Sequence, residues 1–437
     1  MKRMTTESME EEEPQKSMSE PMLDWILNGI PQKVSVKLFD DVGFIYEAQL
    51  AKMELSSWWS ELDAFRARAA YFEEVNGQKT NHYFISDIKG KGQIGRTCQY
   101  LTHWFYPYKA KFHPQMIKAL INWMGIKNKD RLLDPFVGSG TALIEAKTLG
   151  IDSWGVDINP VCTLMSRVKC KLLDFTPEDL KIVSKEEAFN FFDKKYRRSP
   201  TRLFSHFEQL AAATEEANKL VPDKDLHDFY KLCYLYALSD YTYIKREMWE
   251  GFSENFDDIF HTVEKFHGLK QKLDIKLGNV EVLEGDARRL SQIFPRNYFA
   301  GIVTSPPYSI AVDYIKNDLH ALEYLNVDAR TLVKDMIGLR GNGATRIANY
   351  YNDMMVSFKE MNKVLQLGKY CVVLIGDITF NGKRLPIHQR YIEFAESAGF
   401  ICEKNIRRPI LGGFARLRYE YILVFKKMRE VSSELGE

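Results

Sequence analysis

The chain has 437 residues, of which 45% are hydrophobic and 27% charged, the balance of a soluble globular protein. At about 100–200 residues per domain, this length predicts two or three domains, or one large domain with an insertion. Sixty Lys and Arg residues against 59 Asp and Glu residues give a net charge of +1. That balance excludes a surface that is basic throughout, so any binding of nucleic acid would depend on local basic patches.

The cysteine pattern argues against both a zinc site and a disulfide scaffold. The 6 cysteines are scattered and form no C-x-x-C pair, so we expect no metal and a reducing compartment. No apolar run approaches the roughly 20 residues that span a bilayer. The acidic N-terminus also lacks the apolar core of a secretory signal. We therefore expect a cytoplasmic protein with no membrane partner.

The chain begins with two segments of different character. Residues 1–20 are rich in Glu, Ser, Met and Lys without an apolar pattern, which predicts a disordered tail. Residues 21–105 mix an alternating stretch at 34–38 with an aromatic, helix-like run at 58–72. We expect an α+β N-terminal region there. Contact with DNA is one role that we consider for this region.

A doubly wound α/β sheet is predicted for residues 106–164 and 276–428. Its opening is a strand, a glycine-rich turn, a helix and a second strand that ends in an acid, Asp157. Residues 165–275 interrupt the sheet with a helical period and predict a helical insertion. The predicted elements of the sheet region are helices at 116–124 and 142–149 and strands at 131–133, 153–156, 280–283, 300–303, 370–375 and 419–426.

The segment DPFVGSGT, residues 134–141, follows the first predicted strand. Gly138 and Gly140 let the backbone approach a ligand closely, and the next helix offers free N–H groups. The segment is neither a P-loop nor a G-x-G-x-x-G fingerprint. Asp134 suits a ligand with an ammonium group, and Asp157 lies where nucleoside-binding sheets place a carboxylate for ribose hydroxyls. An ordinary strand–turn–helix that binds nothing is the alternative.

A second motif, TSPPY, ends the predicted strand at 300–303. Its two prolines fix φ and force the preceding residues to be extended. Such a rigid turn at the carboxyl edge of a sheet would present the Ser305 hydroxyl, the Pro306 carbonyl and the Tyr308 ring as one fixed group. A plain turn is again the alternative.

The two motifs resemble those of S-adenosylmethionine-dependent DNA amino-methyltransferases. Residues 134–141 are similar to the family's cofactor loop, and VTSPPY at 303–308 is similar to the signature of the cytosine-N4 subfamily. Adenine-N6 relatives more often carry Asp in place of Ser305. RNA guanine-N2 methylases usually carry Asp or Asn there, with Gly where this chain has Ser309. The resemblance covers about residues 106–160 and 280–425 and implies a Rossmann-like methyltransferase fold.

The resemblance also implies which residues bind the cofactor and the target amine. Residues 106–114 are similar to the element that packs over the methionine part of the cofactor. Residues 285–288 resemble a strand end whose acid binds the adenine amine, and residues 374–377 a strand end near the target base. The implied catalytic residues are Ser305, Pro306, Pro307 and Tyr308. The implied cofactor-binding residues are Lys111, Phe112, His113, Asp134, Pro135, Phe136, Gly138, Ser139, Gly140, Thr141, Asp157, Ile158, Asp286 and Ala287.

The implied reaction is methyl transfer from S-adenosyl-L-methionine to the N4 amine of cytosine in double-stranded DNA, without a metal or a thiol. The target base would leave the duplex and stack on Tyr308. We expect a restriction–modification system with a cognate endonuclease that shares the target site. Methylation of adenine N6 or RNA guanine N2 remains an alternative, as does a catalytically inactive DNA-binding protein.

Three basic clusters are candidates for contacts to DNA phosphates. They lie at 194–202 in the insertion, at 340–346 and at 407–408. We expect the insertion to help hold and read DNA, because its cluster is interleaved with Tyr196 and ends at Ser199 and Pro200. A helical cap that only covers the sheet is the alternative.

Overall fold

The computed structural model describes residues 20–30, 34–89, 99–108, 111–198, 219–307, 314–380, 383–409 and 419–431. The strands are β1 (Val36–Leu38), β2 (Phe72–Val75), β3 (Gln78–Lys79), β4 (Arg131–Asp134), β5 (Asp152–Asp157), β6 (Val280–Glu284), β7 (Phe299–Thr304), β8 (Leu365–Gly376), β9 (Ile378–Phe380), β10 (Lys383–Leu385), β11 (Phe400–Pro409) and β12 (Tyr419–Lys427).

The α-helices are α1 (Glu20–Leu27), α2 (Ile45–Trp58), α3 (Leu62–Arg68), α4 (Asn81–Ile85), α5 (Pro114–Trp123), α6 (Thr141–Thr148), α7 (Pro160–Lys171), α8 (Lys185–Arg198), α9 (Lys224–Ile244), α10 (Met248–Lys272), α11 (Leu290–Ile293), α12 (Tyr314–Tyr324), α13 (Ala329–Asp335), α14 (Gly343–Val364) and α15 (Ile387–Ser397). Within the described part of the chain, no helix is long and apolar enough to cross a membrane.

A seven-stranded sheet in the order β11-β12-β8-β7-β4-β5-β6 forms the centre of the molecule. The strands from β8 to β6 are parallel, and β12 runs antiparallel to β8 and β11. Because β4 lies between β5 and β7, the ends of these three strands meet at one edge. The predicted doubly wound, Rossmann-like α/β fold is confirmed.

Successive side chains of the strands pack into two different apolar cores, one on each face of the sheet. Leu132 packs with Ile117 of α5, whereas Leu133, the next residue, packs with Phe358 of α14. This alternation follows from the two-residue period of a strand and places helices on both faces. Each predicted strand of the sheet lies within an observed one. Strand β11 was not predicted; it is an edge strand in which exposed side chains largely alternate with buried or half-buried ones and which carries several charges.

The N-terminal region packs directly onto the seven-stranded sheet. Its strands β1, β2 and β3 form a small antiparallel sheet. Phe65 and Phe72 belong to the same apolar core as Ile117, so this region extends the sheet's own core. The predicted disordered tail lies outside the described residues, except Glu20, which begins α1.

The connection between β5 and β6 contains helices in its described residues. These are α7, α8, α9 and α10, with a short 3-10 turn at Asp179–Lys181. The boundary predicted at residue 165 falls inside α7, because that helix continues directly from the end of β5. Side chains from these helices form one apolar core with Phe105 and with Leu322 of α12.

A buried polar cluster joins the N-terminal region to the helices beside the sheet. The Glu145 carboxylate of α6 accepts hydrogen bonds from Tyr100 Oη at 2.7 Å and contacts His103 Nε2 at 2.7 Å. Lys118 Nζ of α5 lies 3.2 Å from the second carboxylate oxygen and 3.3 Å from His82 Nδ1. Burial raises the pKa of Glu145, but the charge of Lys118 and the bond from His103 outweigh it and hold that pKa at about 2.

We predict that Glu145→Gln strongly destabilises the protein, because it leaves the Lys118 ammonium buried without its carboxylate. Removal of one member of a buried ion pair typically costs about 3–5 kcal/mol of unfolding free energy. Chemical denaturation measures this change. Because the folded pKa of Glu145 lies below its ordinary value of 4.5, its stabilising contribution is present above pH 4.5 and is lost as the pH falls toward 2.

The matched control is Glu61→Gln, which removes an exposed pair with Lys127 at 3.4 Å. Exposed pairs contribute little, so this variant should unfold like the wild type. Equal loss of stability in both variants would contradict the role assigned to the buried cluster.

Candidate active site

A cavity of about 800 Å³ opens at the carboxyl ends of β4, β5, β6 and β7. This is the edge at which a doubly wound sheet binds its ligands. Two further segments, one before α5 and one after α13, complete its walls. The lining residues are Tyr108, Lys111, Phe112, Pro135, Phe136, Val137, Gly138, Ser139, Asp157, Ile158, Asn159, Cys162, Gly285, Asp286, Ala287, Ser305, Pro307, Asp335, Met336 and Ile337.

Most of the residues predicted to bind the cofactor line this cavity, and so do two of the predicted catalytic residues. The predicted residues that do not line it are His113, Asp134, Gly140, Thr141 and Pro306. Tyr308 lies outside the described residues.

Asp134 joins the two sequence motifs from beneath the cavity. Its side chain is fully buried, and its Oδ1 accepts a hydrogen bond from Thr304 Oγ1 at 2.6 Å and one from the Phe136 N–H at 3.1 Å. Thr304 ends β7 and immediately precedes Ser305. Burial raises the pKa of Asp134 to about 7. The carboxylate therefore holds the start of the Ser-Pro-Pro turn against the start of the glycine loop.

The two glycines of the loop have different roles. Gly138 lines the cavity with φ of +46°, and a Cβ there would lie 3.2 Å from the Tyr108 hydroxyl. Gly140 has φ of +78°, and its Cβ would lie 2.8 Å from Ser166 Cβ of α7. Gly138 thus provides the close backbone approach expected at the cavity, whereas Gly140 allows close packing of α7.

Thr141 and His113 also lie at helix ends rather than in the cavity wall. Thr141 is the first residue of α6, and its Oγ1 lies 3.2 Å from the Ser139 hydroxyl. His113 is the residue that caps the start of α5. Burial lowers the pKa of His113 to about 4.

Asp157, at the end of β5, organises the loop that follows β4. Its Oδ2 accepts a hydrogen bond from the Gly138 N–H at 3.0 Å, and its Oδ1 accepts one from the Asn159 N–H at 2.9 Å. Burial raises the pKa of Asp157 to about 6. Asp157 lines the cavity, and these backbone bonds hold the orientation of its carboxylate.

Arg288 connects two opposite walls of the cavity. Its guanidinium donates to both carboxylate oxygens of Asp286, at 2.7 to 3.0 Å, and to the Asp335 carbonyl at 2.8 Å. Arg288 also donates to Asp353 Oδ1 of α14 at 3.0 Å. Arg340 donates to the same oxygen at 2.9 Å. Arg288 belongs to the motif at 285–288, whereas Asp335 and Asp353 belong to no motif and could not be identified from the sequence.

The Pro-Pro turn is held from below by two buried tyrosines. Tyr350 Oη of α14 donates to the Pro307 carbonyl at 3.0 Å and lies 2.6 Å from Tyr391 Oη of α15. Pro306 is buried, while Ser305 and Pro307 line the cavity. These bonds fix the position of the turn in the cavity wall. The two tyrosines belong to no motif and could not be identified from the sequence.

The described part of the chain contains no group of three or more His, Cys, Asp or Glu side chains that could hold a metal ion. Its cysteines are all free. Cys162 lines the cavity, and burial raises the pKa of its thiol well above the ordinary value.

The basic clusters differ in how they are paired. Arg340 contacts Asp353, as described above, and Arg408 forms an ion pair with Glu420 at 2.9 Å. Arg407 is exposed, with its guanidinium 4.6 Å from the centre of the Tyr419 ring. In the insertion, Lys194 is exposed on α8, while the side chains of residues 195–198 and all of residues 199–202 lie outside the described part.

We predict that Arg288→Met loosens the cavity wall at residues 335–337, because this wall loses the bond from Arg288 to the Asp335 carbonyl. Hydrogen–deuterium exchange should become faster in peptides that cover these residues. The matched control is Arg289→Met, which changes the exposed neighbouring side chain. Unchanged exchange in the Arg288 variant would contradict the linking role.

Comparison with known proteins gives matches to DNA methyltransferases and, over shorter stretches, to tRNA (guanine(10)-N2)-dimethyltransferases. The model of the DNA methylase family matches residues 40–166, less than a third of the chain. The match begins well before residue 106, so the resemblance includes much of the N-terminal region that the motifs had left out. This agrees with the shared apolar core of that region and α5.

The similar proteins include three Type II methyltransferases. M.BsoBI of Geobacillus stearothermophilus is 24% identical over 53% of this chain and 54% of its own length. M.MjaII of Methanocaldococcus jannaschii is 30% identical over 47% of this chain and 39% of its own. M.AvaI of Anabaena variabilis is 26% identical over 70% of this chain and 80% of its own. The chain thus spans about half the length of the first of these proteins and about two fifths of the second. Together the matches confirm the resemblance of this chain to the DNA amino-methyltransferases.

Proposed function

We propose that this protein transfers a methyl group from S-adenosyl-L-methionine to the N4 amine of cytosine in double-stranded DNA. The observation that carries the proposal is that Ser305 and the glycine loop line one cavity and are tied together by the bond between Thr304 and Asp134. The similar proteins are named Type II methyltransferases. On that basis we also propose a cognate restriction endonuclease as a partner.

The cavity fits S-adenosyl-L-methionine by the chemistry of its lining residues. Asp157 and Asp286 offer carboxylates for ribose hydroxyls and the adenine amine, and Phe136 and Ile337 offer apolar surface for the adenine ring. Gly138 keeps the backbone free of a Cβ beside Tyr108. When bound, the cofactor supplies an electrophilic methyl group.

Ser305 and Pro306 orient the target amine in this proposal. The amine is a poor nucleophile because its lone pair is conjugated into the base. The Ser305 hydroxyl and the Pro306 carbonyl accept its hydrogens, so the lone pair turns toward the cavity. Such positioning of two bound reactants contributes as much as about 7–11 kcal/mol to lowering a barrier. The bonds that hold Thr304 and Pro307 keep this arrangement rigid before the base arrives.

The serine of the motif favours cytosine N4 over adenine N6 as the acceptor. A hydroxyl at this position is similar to the cytosine-N4 signature, whereas adenine-N6 relatives more often place a carboxylate there. Adenine N6 is the second candidate, because the family model that matches this chain is that of the DNA methylases as a whole.

The described helices between β5 and β6 are the proposed DNA-holding element. Lys194 of α8 is the first residue of the basic cluster, and its side chain is exposed. Phosphate contacts from such a cluster would supply affinity and salt dependence, while contacts to base edges would supply specificity.

We predict that Gly138→Val weakens S-adenosylmethionine binding, because the added side chain must enter the cavity beside Tyr108 and the backbone has a positive φ. Isothermal titration calorimetry should show at least a tenfold higher dissociation constant. The control is Gly268→Ala in α10, where a Cβ meets no atom within 4 Å. Unchanged affinity in Gly138→Val would remove the glycine loop from the cofactor site.

Transfer of a radioactive methyl group from S-adenosylmethionine into duplex DNA tests the proposed reaction. Wild type should label DNA and leave RNA unlabelled. Ser305→Ala should lower the transfer rate by at least tenfold while the affinity for S-adenosylmethionine stays the same, because the hydroxyl contacts the base. Loss of cofactor affinity with no change in transfer rate would contradict the role of Ser305.

We predict that simultaneous neutralisation of Lys194, Lys195, Arg197 and Arg198 to Gln weakens DNA binding and reduces its salt dependence. Fluorescence anisotropy with duplex DNA across a salt series measures both quantities. S-adenosylmethionine affinity should be unchanged, because the cofactor cavity lies at the sheet edge. If wild type and variant bind DNA with equal affinity and equal salt dependence, the helix only covers the sheet and does not hold DNA.

A further inference from the structure

Helix α12, the next described helix after the Ser-Pro-Pro turn, carries a buried carboxyl group that the proposed reaction does not use. This group belongs to Asp318, which is only 3% exposed. Its Oδ2 accepts a hydrogen bond from Asn159 Nδ2 at 2.8 Å, between residues that are 159 positions apart in the chain. Burial, and to a smaller extent the charge of Asp157, raise the pKa of Asp318 to about 7 against the lowering effect of this bond.

Asn159 uses its backbone N–H and both ends of its side-chain amide. The backbone N–H donates to Asp157 Oδ1 at 2.9 Å, and the side-chain Oδ1 accepts from the Val161 N–H at 3.0 Å, which caps the start of α7. Because Oδ1 is the acceptor at this cap, the other end of the amide is a donor and needs an acceptor, which Asp318 supplies. Asn159 is 1% exposed, so it stands as a buried bridge between two carboxyl groups.

This bridge determines how the Asp157 carboxylate is presented to the cavity. The carboxylate is held by the N–H groups of Gly138 and Asn159. The direction of the second N–H depends on the backbone around Asn159, which is extended with φ of −87° and ψ of 114°. The side-chain bonds of Asn159 to Val161 and Asp318 hold that conformation. Loss of the Asp318 bond would therefore loosen the Asp157 carboxylate.

The helix that carries Asp318 is itself held firmly. Two residues further along α12, His320 Nε2 lies 3.1 Å from Tyr106 Oη, and the two rings stack with centres 6.4 Å apart. Leu322 is fully buried in the apolar core that also contains Phe105. Asp318 is therefore a fixed support for the side chain of Asn159.

We propose that Asp318 is a positioning residue for the cofactor, which acts through Asn159 to hold the Asp157 carboxylate toward the ribose hydroxyls. This inference rests on the proposed function, which places the ribose at Asp157, and adds to it a residue from the helix that follows the Ser-Pro-Pro turn. Asp318 does not line the cofactor cavity, whereas Asn159 and Asp157 do. Its effect on binding is therefore confined to the part of the ligand that Asp157 contacts.

The test measures how much the ribose hydroxyls contribute to binding in each variant. The probes are S-adenosyl-L-homocysteine and its analogue with hydrogen in place of both ribose hydroxyls, titrated by calorimetry. Asp318→Ala removes the acceptor, whereas Asp318→Asn keeps an oxygen that can accept from Asn159. Asn159→Ser breaks the same bond from the other side and keeps an oxygen that caps α7. The matched control is Glu323→Ala, which removes an exposed carboxylate of the same helix.

Wild type should bind the hydroxylated ligand about tenfold or more tightly than the analogue, the effect of hydrogen bonds to a charged group. Asp318→Ala and Asn159→Ser should each reduce this ratio about threefold or more, through weaker binding of the hydroxylated ligand. Asp318→Asn and Glu323→Ala should keep the wild-type ratio. The double variant Asp318→Ala with Asn159→Ser should lose no more than either single variant, because both remove one bond.

Three results would overturn the inference while wild type still prefers the hydroxylated ligand, as the proposed function requires. Equal loss of affinity for both ligands in Asp318→Ala and Asn159→Ser would show that the bond only supports the fold. An unchanged ratio in these two variants would show that Asp157 does not depend on it. A ratio in Asp318→Asn as low as in Asp318→Ala would show that the acceptor is not what matters. If Asp318→Ala does not fold, Asn159→Ser decides the comparison.

A wild type without any preference for the hydroxylated ligand would have a different meaning. It would overturn the placement of the ribose at Asp157 in the proposed function, and this inference with it.

Discussion

The hydrogen bond from Thr304 to Asp134 is the interaction on which the site depends. It joins side chains 170 residues apart, at the ends of neighbouring parallel strands, and both are fully buried. Through it, the strand that leads into the Ser-Pro-Pro turn and the strand that leads into the glycine loop end at fixed relative positions. The chemistry proposed here requires that relation, because the amine held by Ser305 must face a cofactor held by the loop.

Burial at the sheet edge links the architecture to the electrostatics of the site. Asp157 lines the cavity and Asp134 lies beneath it, and burial raises the pKa of Asp134 to about 7 and that of Asp157 to about 6. These carboxyl groups therefore exchange protons near neutral pH, unlike Glu145, whose neighbouring Lys118 keeps it ionised. A hydrogen bond from Thr304 holds Asp134 in place, and bonds from the N–H groups of Gly138 and Asn159 hold Asp157.

The features that could be predicted from the sequence are those with a local signal. The strands, the glycine loop and the Pro-Pro turn each depend on residues that are close together in the chain, and the order of these elements implies the sheet. The edge strand β11 lacks such a signal, because its two pairs of adjacent charged residues resemble an exposed segment. The N-terminal region also lacks one, since residues such as Phe72 join the core that contains Ile117 through packing that no motif records.

The parts of the site that the sequence did not reveal depend on contacts between distant elements. The wall at Asp335 is held by Arg288, and the Pro307 carbonyl is held by Tyr350, 43 residues further along the chain. Gly140 illustrates the same limit. The glycine motif predicts that another group packs closely against the backbone of Gly140, but it does not indicate whether that group is a ligand or, as observed, Ser166. Local spacing identifies a candidate residue, whereas the packing of helices determines what that residue contacts.

A comparison of Thr304→Ser with Thr304→Val tests this account most directly, because serine keeps the hydroxyl and valine keeps the shape. The measurement is the single-turnover rate of methyl transfer to DNA at saturating S-adenosylmethionine. The account predicts a near-normal rate for Thr304→Ser and at least a tenfold lower rate for Thr304→Val, roughly the effect of removing one hydrogen bond to a charged group. Equal rates in the two variants would contradict it, since the bond to Asp134 would then have no part in placing Ser305.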